Sequence, residues 1–280
     1  MDVELSQATY IDTVLKRFSM ENSKKGFLPY RHGIQLSKAM CPKRQKEIDD
    51  MKLVPYASAV GSLMYAMLCT RPDICHALGM VARYQSNPGP GHWIAVKHIL
   101  KYLKRTKEHM LVYQSDTLCP VRYTDSDFSS DKEKSKSTSG YVFTLGGGAI
   151  SWRSVKQKCI ADSTMEAEYV AASEAAKEAV WLKYFLKDLG VIPDLPKSIT
   201  LYCDNNGAVG NSKEPRDHKA SKHIKRKYHL IRDFVKRGKI IVSKIASEDN
   251  LADPFTKGLP SKSFEGHVEG MGLRCMAALL

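Results

Sequence analysis

Hydrophobic and polar positions change rhythm once along this chain. Up to about residue 108 the apolar residues recur every three or four positions, as on the buried stripe of a helix; after Thr106 they gather in short runs bounded by glycine and proline. In the first stretch Tyr10, Ile11, Val14, Leu15 and Phe18 mark one amphipathic helix, and Ala57 to Leu68 and Asp73 to Tyr84 mark two more. Pro72 heads the last of these, and Asn87-Pro88-Gly89-Pro90-Gly91 ends it. A further helix follows, lined by Trp93, Val96, Leu100 and Leu103, with Lys97, Lys101, Lys104 and Arg105 on its other side. Residues 25–50, polar and basic with Pro29 and Pro42, read as an exposed loop. In the second stretch Val121 to Asp125, Tyr141 to Leu145, Ala149 to Ser154, Ile199 to Asp204 and Ile240 to Ile245 read as strands. Gly146-Gly147-Gly148 turns a hairpin between the second and third. A long helix follows the hairpin. A helical turn and a helix with Ile224, Tyr228, Ile231 and Val235 at helical spacing lie between the last two strands, and a final element opens near Asn250. One crossover helix among such strands implies a mixed sheet covered by helices, an α/β arrangement.

The long helix has the clearest start. Ser163, followed three residues later by Glu166, makes a capping box: the hydroxyl accepts from an orphan backbone N–H and the glutamate reaches back to the cap. Ala171, Ala172, Ala175, Ala176 and Ala179 favour helix, and Val180, Trp181, Tyr184 and Phe185 are expected to supply its buried face. Gly190, with Pro193 beyond, stops it. The box occupies Glu166 and leaves Glu168, roughly 200° further round. A carboxylate beside a buried face is costly unless a charge meets it. Alone, it reads equally as a solvated first-turn acid favoured by the helix dipole.

Other acids give Glu168 company. Asp125 and Asp204 each close a strand, behind Tyr123-Thr124 and Tyr202-Cys203, and Asp253 sits at the opening of the final helix, just before Pro254. Singly, each suits a turn or a cap. Together they are four carboxylates on four elements that can converge at one sheet edge. Such a set suits two hard cations, because oxygen ligands hold Mg²⁺ and leave water and phosphate to complete its shell. Two ions about 3.5–4 Å apart serve in-line phosphodiester cleavage. Mg²⁺ is the expected cofactor, with Mn²⁺ as its substitute.

Composition narrows the partner. The chain has 280 residues, room for one large domain or two ordinary ones, and its 43% hydrophobic and 26% charged residues are normal for a packed core. Forty-three Lys and Arg against 30 Asp and Glu give net +13, which suggests a polyanionic partner or serves solubility alone. Seven cysteines at irregular spacing without a Cys-x-x-Cys argue for a reducing compartment. No apolar run approaches a membrane span, and Met1-Asp2-Val3-Glu4 is no signal peptide, so an intracellular protein is expected. The positive charge crowds between Asp204 and Asp253, where Asp217 and Asp233 are the only opposing helix charges. A charge run is usually a solvated face; beside a phosphodiester site, phosphate contact is the better reading. Lys219, Lys222, Lys225, Arg226 and Arg232 are the expected nucleic-acid contacts, reading duplex shape and 2′-hydroxyls rather than bases. His218, His223 and His229, with Cys203, invite a zinc reading, but their spacing fits no familiar finger and a helix cannot aim all three at one point.

These residues carry a resemblance. Tyr123-Thr124-Asp125-Ser126-Asp127, Lys136-Ser137-Thr138-Ser139-Gly140-Tyr141, Ser151-Trp152, Ser163 to Tyr169, Asp204-Asn205, Lys222-His223-Ile224, Tyr228-His229 and Asp253-Pro254-Phe255-Thr256-Lys257 resemble the ribonuclease H domain of copia-type LTR retrotransposon Pol polyproteins. Upstream, Gly61-Ser62-Leu63-Met64-Tyr65, Thr70-Arg71-Pro72-Asp73-Ile74 and His92-Trp93 look like the segment joining reverse transcriptase to that domain. The resemblance implies a ribonuclease H-like mixed five-stranded sheet with flanking helices over 109–262. Before it would come a mostly helical, thumb- or connection-like segment over 1–108, and after it a tail over 263–280. It implies endonucleolytic cleavage of the RNA strand of RNA–DNA hybrids by two metal ions held on Asp125, Glu168, Asp204 and Asp253. The expected partner is the upstream reverse transcriptase domain of a full-length element, and the expected location is cytoplasm or a virus-like particle, with the nucleus as an alternative. The polymerase's paired aspartates are missing, so no DNA synthesis is expected. Cellular ribonucleases H carry a histidine on a loop just before the last aspartate; Lys244 to Ala252 has none. Two other readings stand beside this one: a relic that binds nucleic acid without cutting, and a DNA-cutting transposase or integrase of related fold.

Overall fold

The structure is a computed structural model, and it describes residues 3–31, 33–114, 118–131, 133–190, 192, 196–213 and 230–275. The chain begins with β1 (Val3–Leu5), α1 (Ala8–Arg17), α2 (Gln45–Lys52), α3 (Tyr56–Cys69), α4 (Cys75–Ala82), α5 (Pro90–Arg105) and β2 (His109–Tyr113). It continues through β3 (Val121–Asp131), β4 (Lys136–Leu145), β5 (Gly148–Lys156), α6 (Thr164–Asp188), β6 (Ile199–Cys203) and α7 (Asn206–Lys213). Then come α8 (Leu230–Lys236), β7 (Ile240–Lys244), α9 (Ser261–Gly270) and β8 (Leu273–Cys275). These elements form two compact units, one of residues 115–257 and the other of residues up to Gln114 with the segment from Gly258 onward.

That division differs from the boundaries expected at 108/109 and 262/263. His109–Tyr113 is antiparallel to both β1 and β8, with Leu111 opposite Leu5 and Leu273, so the end of the chain closes a three-stranded sheet in the helical unit. Most described residues of 25–50 are exposed, as expected, but the segment is anchored and partly helical. They include part of α2, and Leu36 is buried. Tyr84 donates to the Leu36 carbonyl at 2.7 Å, and Gly26 N–H donates to the Lys101 carbonyl at 2.9 Å. Arg105, opposite the apolar stripe of α5, holds the same segment through the Phe27 carbonyl, and Lys104 holds the chain just before it through the Ser23 carbonyl. Isolated anchors between charged residues produce no periodicity, which is why this packing left no pattern. At the centre of the unit, fully buried Arg71 grips Asp73 at 3.0 and 2.6 Å and donates to the Thr106 carbonyl at 3.1 Å. Tyr102 donates to the same carboxylate at 2.6 Å. A buried ion pair is tolerable when its remaining lone pairs and protons are bonded in this way.

In residues 115–257 the strand order is β5-β4-β3-β6-β7. β3, β4 and β5 are antiparallel, whereas β6 is parallel to β3 and β7 is parallel to β6. This is the mixed five-stranded sheet of a ribonuclease H-like fold. Gly146 and Gly147, at φ 57° and 79°, turn the β4–β5 hairpin between the paired residues Leu145 and Gly148. Such positive φ angles at both central residues match the strand twist and cost glycine little. β3 and β4 run further than the apolar pattern suggested, because polar Ser126 and Asp127 still pair with Ser139 and Thr138.

Helix α6 lies against the sheet through a face that differs from the expected one. Ala172, Ala175, Ala176, Ala179, Leu182 and Leu186 are buried among Phe143, Ile199, Leu201, Ile240 and Val242. Trp181, Tyr184 and Phe185 are 57%, 47% and 44% exposed, and Val180 is partly buried. Alanines let the helix axis approach the sheet closely, and the aromatic stripe about 100° away is left outside.

Candidate active site

β3 and β6 set two of the acids side by side. Parallel pairing of Thr124 with Cys203 brings Asp125 and Asp204, the next residue of each, side by side where β6 ends, though Asp125 lies within β3 and does not close it as expected. Asp125 is 1% exposed and lies opposite Gly140 of β4. Asp253 stands in a single 3-10 turn, Asp253–Phe255, rather than at the head of a longer helix, which begins only at Ser261. That turn is tied to β3 from both ends. Fully buried Asn250 donates from Nδ2 to the Thr124 carbonyl at 3.1 Å, and the Thr256 hydroxyl donates to Asp125 Oδ2. A Cβ on Gly140 would lie 2.7 Å from Phe255 Cβ and 2.8 Å from Thr256 Cγ2, so only glycine admits the turn here.

The two glutamates of α6 stand in different surroundings. Ser163 Oγ accepts from Glu166 N–H at 3.2 Å, and Glu166 reaches back one residue beyond the cap to accept from Asp162 N–H at 2.6 Å. Glu168 is buried beneath the sheet edge, where it accepts from Ser126 N–H at 3.1 Å. Its other oxygen lies 3.8 Å from Cys203 Sγ.

The four acids fall into two overlapping groups. One oxygen from each of Asp125, Asp204 and Asp253 falls within 4.8 Å of the others, and Glu168, Cys203 and Asp204 form a second triad at the same limit. Asp204 belongs to both. Its Oδ2 accepts from Ser247 Oγ at 2.8 Å, and Lys244 Nζ donates to its carbonyl.

The electrostatics follow from burial and crowding. Burial raises the Asp125 carboxyl well above the ordinary range, Glu168 and Asp253 add to the rise, and Lys257 and the Thr256 hydroxyl oppose it. Glu168 is pushed up to about 8, by burial first and Asp204 second, against Ser126 and Lys257. Burial also raises Asp127. Lys257 Nζ lies 3.0 Å from Asp253 Oδ2 and 3.9 Å from Asp125 Oδ2. Burial works against this ammonium, but Asp125 and Asp253 outweigh it and leave its pKa above the ordinary value. Crowded, largely desolvated oxygen donors fit a hard divalent cation, which replaces their mutual repulsion with attraction.

The sequence reading named the four acids and passed over the residues that orient them: Ser126, Ser247, Asn250, Thr256 and Lys257. For Lys257 a signal existed, since it follows Asp253 by four residues, the spacing of neighbours on a helical turn. Of the expected nucleic-acid contacts, Arg232 lies on α8, where Nε donates to the Asn211 carbonyl at 3.1 Å and the guanidinium is 5.5 Å from the Tyr169 ring centre. Lys219, Lys222, Lys225 and Arg226 lie outside the described residues, as do His218, His223 and His229 of the zinc reading.

No protein-family model matches the chain. Among curated proteins it is 48% identical over 269 residues to the Retrovirus-related Pol polyprotein from transposon TNT 1-94 of Nicotiana tabacum, covering 96% of this chain and 20% of that one. Its identity to the Pol polyprotein from transposon RE1 of Arabidopsis thaliana is 34% over 272 residues, 97% of this chain and 18% of that one. A shorter stretch of 133 residues, 47% of the chain, is 50% identical to Secreted RxLR effector protein 161 of Plasmopara viticola and covers 94% of it. A solved structure, LC11-RNase H1 isolated from compost, aligns with 54% of this chain and 99% of its own at 18% identity and a TM-score of 0.37. The chain spans about a fifth of the length of the Pol polyproteins it matches. Matched over nearly all of its own length, it belongs to the Pol polyproteins of copia-type LTR retrotransposons.

Proposed function

We propose that residues 115–257 are a ribonuclease H-type nuclease that hydrolyses the RNA strand of RNA–DNA hybrids, acting as part of a retrotransposon polyprotein. The reading is carried by the convergence of Asp125, Glu168, Asp204 and Asp253, from four separate elements, at one sheet edge. These carboxylates would hold the divalent ions, Mg²⁺ or in its place Mn²⁺. When bound, such ions activate the attacking water and stabilise the leaving oxygen of an in-line displacement. The chain's own groups fix the geometry. Ser126 N–H aims Glu168, the Thr256 hydroxyl aims Asp125, Ser247 aims Asp204, and Asn250 holds the Asp253 turn on β3. The charge excess supports a polyanionic substrate, and the basic run from Lys219 to Arg232 would grip its phosphates. The reverse transcriptase portion of a full-length element would be its natural partner.

The test is a cleavage assay with the full chain and Mg²⁺ on an RNA–DNA hybrid, a DNA duplex and single-stranded RNA. Only the RNA of the hybrid should be cut, and Asp125→Asn should cut nothing. Cleavage of the DNA duplex would point instead to a transposase-like nuclease. Tight binding of the hybrid without cleavage would identify a catalytically silent relic.

A further inference from the structure

The cluster already contains a cation. Lys257 Nζ stands 3.0 Å from Asp253 Oδ2 and 3.9 Å from Asp125 Oδ2, beside two acids of the triad that would receive a metal ion. Its position is set by the short turn that carries Asp253, four residues before it. Two features make this more than a surface ion pair. One of its carboxylate partners is almost wholly buried, with the Asp125 side chain 2% exposed, so the ammonium offsets repulsion that water cannot screen. The lysine side chain is itself 38% exposed, so its flexible stem can withdraw to solvent without opening the core.

A divalent ion and an ammonium compete for those oxygens, because both charges are positive and the ligand atoms lie within 4.8 Å of one another. We propose that Lys257 is an exchangeable counter-cation, a positioning residue that holds Asp125 and Asp253 together in the metal-free protein and is displaced when a divalent ion enters. The inference rests on the metal-site reading above and adds to it a competitor built into the chain. It has a directional consequence. Removing the lysine should weaken the metal-free protein and strengthen metal binding, opposite signs that a contact indifferent to the metal does not produce.

The experiment uses the full chain, its Lys257→Met variant, which keeps the stem and loses the charge, and Lys257→Arg, which keeps the charge. Each is melted in EDTA and in saturating Mg²⁺, and each is titrated with Mg²⁺ by calorimetry. Lys257→Met should melt below the parent in EDTA and level with it in Mg²⁺. Its Mg²⁺ dissociation constant should fall roughly fivefold, the worth of one partly exposed ion pair. Lys257→Arg should follow the parent in both. If Lys257→Met is equally destabilised with and without Mg²⁺, or binds Mg²⁺ no tighter, the lysine is a static contact and the exchange is refuted while the metal site stands. If Mg²⁺ neither binds nor shifts the parent, the metal site itself fails and the exchange goes with it.

Discussion

Glu168→Gln takes one carboxylate from the cluster and leaves the cap of α6 untouched, since the cap is built from Asp162, Ser163 and Glu166. Turnover on the hybrid should fall by about 10³-fold or more, in the range of losing a group that acts only in the transition state. The melting temperature in EDTA should hold or rise, because the folded protein no longer has to take up a proton on a buried acid that the unfolded chain releases. Glu166→Gln should keep turnover within about threefold and cost at most about 1 kcal/mol, since glutamine can also accept from the Asp162 N–H. Equal losses of activity from the two changes would undo the division of labour. The same burial makes a prediction about pH. Glu168 keeps its proton in the folded protein up to about 8, whereas an unfolded glutamate loses it near 4.3, so between these values the native state binds more protons. Its contribution to stability is therefore complete below the unfolded pKa and is lost as pH rises through about 8. Asp125 and Cys203, also raised mainly by burial, have the same sign. His92, His98 and His109, whose pKa values burial lowers, act oppositely but are neutral in both states above pH 7. In EDTA the melting temperature should accordingly fall from pH 7 to 8.5, and Glu168→Gln should flatten that fall. A rise over this interval in the parent would show that the acids are not desolvated as described.

Among the elements, the turn over Gly140 is the narrowest fit. Gly140→Ala inserts a methyl 2.7–2.8 Å from Phe255 and Thr256, whose displacement would drag Asp253 and the Asp125 bond with it. The change should cost about 1–3 kcal/mol, as overpacking does, and raise the Mg²⁺ concentration needed for half-maximal cleavage. Paired melts and metal titrations of activity check this; a variant with parental values for both would remove the turn from the site's support. Much at this scale was legible in the residues. Ser163 and Glu166 announced the start of α6, and the three glycines announced the β4–β5 hairpin. The face of α6 was not legible. Residues 181, 184 and 185 make as good a helical stripe as 175, 179, 182 and 186, and periodicity ranks stripes by hydrophobicity, not by closeness of approach. The sheet chose the alanines because small side chains allow contact along the helix. For the same reason the orienting groups stayed hidden. Nothing local in Asn250 or Ser126 tells that its partner is Thr124 or Glu168, more than forty residues away.

For the whole molecule, topology was readable and boundaries were not. Strand and helix order sufficed for a mixed sheet, but the place of β8 in the helical unit depends on pairing with His109–Tyr113, over 150 residues earlier. The buried Arg71–Asp73 pair likewise gives the Thr-Arg-Pro-Asp motif a structural role, with Tyr102 and Thr106 completing its bonds. The tie between the Asp253 turn and β3 bears on the order in which the molecule is made. Asn250 and Thr256 reach partners 126 and 131 residues earlier, among the most distant contacts in their unit. Loops of that span close late in folding, after local helices and hairpins are in place. A chain still emerging from the ribosome, with Asp125, Glu168 and Asp204 already synthesised, thus holds three quarters of the cluster's acids and no finished site. The acid cluster is completed by the last residues of its own unit, only once that whole unit has been translated.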